Sequence, residues 1–257
     1  MAPEMLFNLL LKALLQTLQM VAVAGVIGTL IGLPFGVFLA TSGRGELFAA
    51  PSVNRVVGLV VNAARSTPFI ILVVAIIPFT RLITGTSIGT SAAIVPLTIA
   101  TIPFVARLIE AAIREVDKGL IEAARAMGAT PLQIVTKVLL AEAKPGIVLA
   151  LTMTAVSLVG YSAMVGAVGG GGLGDLGIRY GYQRFMPDVM LAVVVVLIVL
   201  VQAVQSAGDG LARRFDKKAG KTDPFQAINR KHKETSHEEA HTGGLARRSV
   251  LCRYCPG

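Results

Sequence analysis

The chain has 257 residues, 54% of them hydrophobic and 15% charged, with a mean hydropathy of +0.70. Its apolar residues fall in long uncharged blocks rather than at amphipathic spacing, which excludes a water-soluble globule. The formal charge of +9 collects at the ends of those blocks, as a topology signal does and a nucleic-acid patch does not.

A helix needs about 20 apolar residues to cross the hydrocarbon core. Five blocks reach that length, so the expected fold class is an all-α integral membrane protein with five transmembrane helices, at about 13–40, 56–80, 82–106, 145–168 and 187–208. The alternating strands of an outer-membrane barrel, about 10 residues each, are absent. The first block is uncharged over positions 13–43. It outruns the apolar core of a signal peptide, about 7–15 residues, and is expected to stay in place as a span. Gly25, Gly28, Gly32 and Gly36 recur in it every three or four residues. They form a small-residue face that lets another helix approach closely. Packing within the chain and packing between subunits both fit such a face.

The second block, 56–80, is interrupted only by Arg65 and carries Pro68 and Pro78, and the third carries Pro96 and Pro103. Each proline frees a backbone carbonyl and bends a membrane helix. The stretch 107–144 is too polar to cross the bilayer and too helix-favouring for a loose loop. Glu110 and Arg114 are four apart, as are Lys118 and Glu122, so each pair can meet on a helix surface. Gly128 is placed to end one short helix in a left-handed turn. Thr130 can then cap the next helix, with Pro131 at its first position. The expected element is helix, sharp turn, helix. A membrane-surface hairpin without a partner is the alternative.

Gly172, Gly174 and Gly177 match the spacing of a dinucleotide-binding loop. No strand precedes them, so a glycine turn between spans four and five is expected instead. In the tail, 222–257, His237, Glu238 and His241 match a zinc-peptidase pattern, and Cys252 and Cys255 follow. That segment has too few large apolar residues for a dry, shaped site, so it is expected to be a disordered tail.

Lys and Arg retained in the cytoplasm set orientation. With Arg65 counted alongside Arg44 and Arg55, the segments after spans one, three and five carry 14 of them up to Lys221, against four (Lys12, Arg81, Arg179 and Arg184) on the opposite side. The bias predicts an amino terminus outside and a carboxyl terminus in the cytoplasm. Cys252 and Cys255 then face a reducing compartment, where no disulfide is expected.

The run Glu122, Ala123, Ala124, Arg125, Ala126, Met127, Gly128 resembles the EAA loop of ABC importer permeases. Positions 65–89, 92–110, 119–140 (GLIEAARAMGATPLQIVTKVLL) and 158–177 (LVGYSAMVGAVGGGGLGDLG) are similar to the methionine-importer branch of that family. The likeness extends over about 5–217. Two positions depart from it: Ala141 follows Leu140 where a proline is usual, and Val165 follows Met164 where glycine is expected.

The resemblance implies a type I permease domain over 1–221. It implies that Glu122, Ala123, Ala124, Arg125, Met127 and Gly128 couple the chain to an ATPase. Tyr161, Ser162 and Met164 are implied at the gate of a path for D- or L-methionine, opened by alternating access. The implied assembly is a homodimer with two ATP-binding subunits and an extracytoplasmic methionine-binding lipoprotein, set in lipid of the bacterial inner membrane without nucleic acid. The chain is then no enzyme and holds no cofactor or metal. It lacks a phosphate-binding Gly-x-x-x-x-Gly-Lys-Ser/Thr loop, so ATP and Mg belong to the partner. Other readings are a permease for another small amino acid or methionine derivative, and a membrane-anchored zinc peptidase using His237, Glu238 and His241.

Overall fold

The structure, a computed structural model, describes residues 3–43 and 46–215. Every regular element among them is helical. In chain order they are α1 (Pro3–Thr41), α2 (Pro51–Ser66), α3 (Phe69–Ala75), α4 (Ile77–Thr84) and α5 (Thr90–Arg114). Next come α6 (Lys118–Ala126), α7 (Pro131–Gln133), a π-helical turn (Ile134–Leu139), α8 (Leu140–Glu142) and α9 (Lys144–Ala167). The last are α10 (Gly172–Leu176), a second π-helical turn (Gly177–Tyr182) and α11 (Pro187–Phe215). Helices α1, α5, α9 and α11 are each long and apolar enough to cross a membrane; α2 with α3 makes a fifth span if the bent pair is counted as one.

The last helix, α11, runs past 208 to Phe215, and three other elements differ from the hydropathy blocks, each for a local reason. Helix α1 begins ten residues before position 13, because Leu6, Leu9, Leu10 and Leu14 pack against Leu173, Leu176, Val189 and Val193. Lys12 sits on the exposed face and does not stop it. The second block is divided: α2 and α3 meet at 98°. Pro68 disfavours helical backbone in the residue before it, and Thr67 is accordingly extended, at ψ 123°. The third block starts at Thr90, not 82, because Gly85 and Gly89 take φ of +73° and +100° and break the helix there. It then continues past 106 to Arg114, with Arg107 and Arg114 both paired to Glu110 on the same helix.

The small-residue face of α1 is occupied within the chain. A Cβ on Gly32 would lie 2.8 Å from the Ile102 carbonyl oxygen, and one on Gly36 would lie 2.7 Å from that of Ala106. Helices α1 and α5 therefore touch backbone to backbone, a separation only glycine permits. A Cβ on Gly28 would run into Thr101 of α5, whereas one on Gly25 would lie 3.4 Å from Leu158 of α9. The core follows this seam. Met20 and Ala24 pack with Ala93, Leu97, Leu158 and Val165, and Val105, Ile109 and Ile113 pack with the loop residues that follow α5.

Candidate functional site

The loop between α5 and α9 is built from local signals. Asp117 caps α6, its Oδ1 accepting from the Gly119 N–H at 2.8 Å. Such a cap satisfies one of the donors that a helix start leaves open. The helix closes at Met127, and Gly128 follows at φ +80°. There the Gly128 N–H donates to the Arg125 carbonyl at 2.9 Å and the Ala129 N–H to the Ala124 carbonyl at 3.1 Å. Thr130 then forms a reciprocal cap with Gln133, at 3.4 and 3.0 Å, with Pro131 in the first turn. The predicted left-handed glycine and threonine cap stand where the spacing placed them. The return of the Gln133 side chain to the Thr130 N–H was also readable, as Thr-x-x-Gln.

The faces of this loop are sorted by burial. Ala124 is buried against Ile113, Val116, Ile134 and Leu139, so this alanine fixes α6 to its own chain. Met127 is 81% exposed and Leu132 66% exposed, which sets two large apolar side chains on either side of the Gly128 turn. Glu122, Ala123 and Arg125 are exposed too. Glu122 and Arg125 border a cavity of about 560 Å³ with Lys118, Arg114, Glu46 and the end of α1.

Of the two charge pairs expected here, one forms. Arg114 Nη2 lies 2.8 Å from Glu110 Oε1, but among the described residues no ion pair joins Lys118 to Glu122. The order lysine-then-glutamate is the weaker orientation of such a pair on a helix, and both residues are exposed. The sequence reading missed Arg107. Its Nη1 donates to Glu110 Oε2 at 2.6 Å, and its Nη2 to the Gly58 carbonyl of α2 at 3.2 Å. A carboxylate only 4% exposed thus sits between two guanidinium groups and ties α2 to α5. The three-residue spacing from Arg107 to Glu110 was a signal; the Gly58 contact left none.

The residues expected at the path separate. Met164 on α9 is 49% exposed. Tyr161, three residues earlier and so on a neighbouring helix position, stacks on Phe69 of α3 with ring centroids 4.4 Å apart. Ser162 is buried and donates to the Val159 carbonyl at 2.7 Å, so its hydroxyl faces the interior of this chain, away from Met164. Val165, in place of the expected glycine, is buried against the α1–α5 core. At Ala141 the backbone remains helical through Glu142, and Pro145 enters in the first turn of α9.

Gly172 and Gly174 begin α10 and Gly177 the π-helical turn, with a helix upstream and no strand. His237, Glu238, His241, Cys252 and Cys255 lie outside the described residues.

Residues 32–221 match the family described as binding-protein-dependent transport system inner membrane component. The chain is 60% identical over 209 residues to the probable D-methionine transport system permease protein of Vibrio cholerae serotype O1, a match covering 81% of this chain and 93% of that protein. It is 55% identical over 163 residues to the D-methionine transport system permease protein of Escherichia coli K12, covering 63% and 75%. A chain of the inward-facing MetNI methionine ABC transporter superposes with a TM-score of 0.82 at 52% identity, covering 84% of this chain and 100% of that one. A chain of an amino acid ABC transporter with histidines, at a TM-score of 0.68 and 23% identity over 81% and 94%, shares the fold.

Proposed function

Because the chain belongs to the family of binding-protein-dependent transport system inner membrane components, we propose that it is the membrane-spanning permease of an ATP-driven importer and forms the path for methionine. It is a multi-pass inner-membrane transport subunit. The observation that carries the substrate is the 60% identity over 93% of a D-methionine permease. It is joined by a fold match to a methionine transporter along the whole of that chain.

Two copies of the chain stand beside two ATP-binding subunits, and an extracytoplasmic lipoprotein delivers methionine. ATP and Mg act on the partner, and import is the work of residues 1–221. The loop around Gly128 supports the ATPase contact: Met127 and Leu132 leave apolar surface in water, which is relieved when a partner covers it. Alternating access then follows as the ATPase pair closes and opens and shifts the balance between outward- and inward-facing states. Met164 narrows the path. Its flexible thioether can close an apolar constriction and yield again when helices move. Tyr161 braces it through the stack on Phe69, while Ser162 serves the packing behind.

The complex reconstituted with its ATPase and binding protein is expected to accumulate methionine only with ATP, with other amino acids competing weakly. Import of a different small amino acid in preference to methionine overturns the substrate.

The charge bias supports an amino terminus outside. With Cys252 and Cys255 replaced by serine, a cysteine at Thr86 is expected to react with an impermeant reagent added outside, and one at Lys118 only from inside. Both positions are exposed on this chain, so the opposite pattern reverses the orientation.

A further inference from the structure

We propose that Gln16 and Thr17 of α1 are positioning residues that hold the gate end of α9 in place during transport, a role that rests on Met164 as the narrowing residue. The end of α9 away from the coupling loop reverses over four residues into α10. Glycines make that reversal close. A Cβ on Gly166 would collide with the backbone of Gly174 and Asp175, and one on Gly174 with the backbone of Ala163. The last turns of α9 and the middle of α10 are thus pressed together as one piece. Met164 lies within that piece.

A helix start leaves N–H groups without partners, and those of α10 are taken up by α1. The Gly172 N–H donates to Gln16 Oε1 at 3.1 Å, and the Leu173 N–H donates to Thr17 Oγ1 at 2.9 Å. Thr17 and Leu173 are both fully buried, so water has no access to replace the hydroxyl. A Cβ on Gly172 would lie 2.7 Å from Thr17 Oγ1, so the approach needs glycine at that position. The start of α5 grips the same turn through the Gly89 N–H, which donates to the Gly169 carbonyl at 2.9 Å. Helix α1 is itself fixed along α5 by its glycine face. The turn beside the gate is therefore anchored, through two side chains of α1, to a pair of helices that touch backbone to backbone. An unmet donor there would be paid for by letting the turn shift, and Met164 would shift with it.

The test compares Thr17→Val, Thr17→Ser, Gln16→Leu and Met164→Ala in the complete reconstituted complex. It reads assembly, passive leak of labelled methionine without ATP, and ATP hydrolysed per methionine imported. Thr17→Val keeps the shape and removes the acceptor. It is expected to raise leak and ATP per methionine several-fold in an assembled complex, while Thr17→Ser behaves as the parent. Gln16 is only half-buried, so Gln16→Leu is expected to move both readouts the same way by less. Met164→Ala is expected to leak as well.

If Met164→Ala leaks and Thr17→Val does not, the positioning role is wrong and the gate stands. If neither leaks, the gate reading falls and takes this one with it. A Thr17→Ser complex as leaky as Thr17→Val also overturns the role, because the hydroxyl is then not what acts. Should Thr17→Val fail to assemble, Gln16→Leu decides, and parental leak in that variant overturns the proposal.

Discussion

Gly128→Val is expected to abolish methionine uptake while the chain still inserts in the membrane. Nothing lies within 4 Å of a Cβ built on Gly128, so the fault is conformational and not a clash. At φ +80° a side chain strains the backbone by about 1–2 kcal/mol, and β-branching aggravates it. The chain escapes by leaving the left-handed region. That sacrifices the Ala129 N–H bond to Ala124 and turns Thr130 and its cap away from α6. Met127 and Leu132, which flank the turn, then no longer present one surface. Gly128→Asn is expected to retain part of the activity, since asparagine tolerates this conformation.

In the same assay Glu122→Ala is expected to weaken co-purification of the ATPase. Its alternative use, a pair with Lys118 or Arg125 within the helix, is not made among the described residues, and such an exposed pair contributes only about 0.3–0.5 kcal/mol. A contact desolvated at the partner costs about 2–5 kcal/mol when truncated. Normal uptake and normal ATPase binding by both variants would show that this loop does not join the two subunits.

Glu110→Ala is expected to be the most damaging change to stability. Removing one member of a buried ion pair costs about 3–5 kcal/mol, because the remaining charge is stranded. Here two charges remain, and they fare differently. The Arg114 side chain is 59% exposed and returns to water, whereas that of Arg107 is 24% exposed and already has its Nε buried without a partner. Arg107 therefore carries most of the penalty and loosens its hold on the Gly58 carbonyl, separating α2 from α5. A fall in thermal midpoint and in yield of detergent-stable complex is the expected readout. Glu110→Gln keeps an acceptor and should lose less. The double change Arg107→Leu with Glu110→Leu should recover much of the stability, since the one charge left without its partner, Arg114, is exposed to water. Parental stability in Glu110→Ala would mean that water already reaches both arginines.

The sequence by itself determined what depends on neighbours along the chain. Uncharged block length gave membrane helices, because the cost of a charge in hydrocarbon is paid wherever the helix packs. Gly128, Thr130 and Pro131 announced the turn, because left-handed backbone and helix capping are settled within a few residues. The breaks were half visible: Pro68 marked one, but not its 98° angle. Gly85 and Gly89 were hidden inside an apolar block, because hydropathy sums composition and does not register backbone conformation.

Only the tertiary structure decided which groups meet across distance. The glycine face of α1 was legible as small, but its occupant, α5, was not. Ser162 and Met164 stand two apart in one helix, yet one faces the core and the other does not. Arg107 finds a carbonyl 49 residues earlier in the chain, and α10 is capped by side chains 156 residues before it. Those partners are chosen by how the helices pack, and close packing depends on shape at every contact along the seam, which no short window of residues contains.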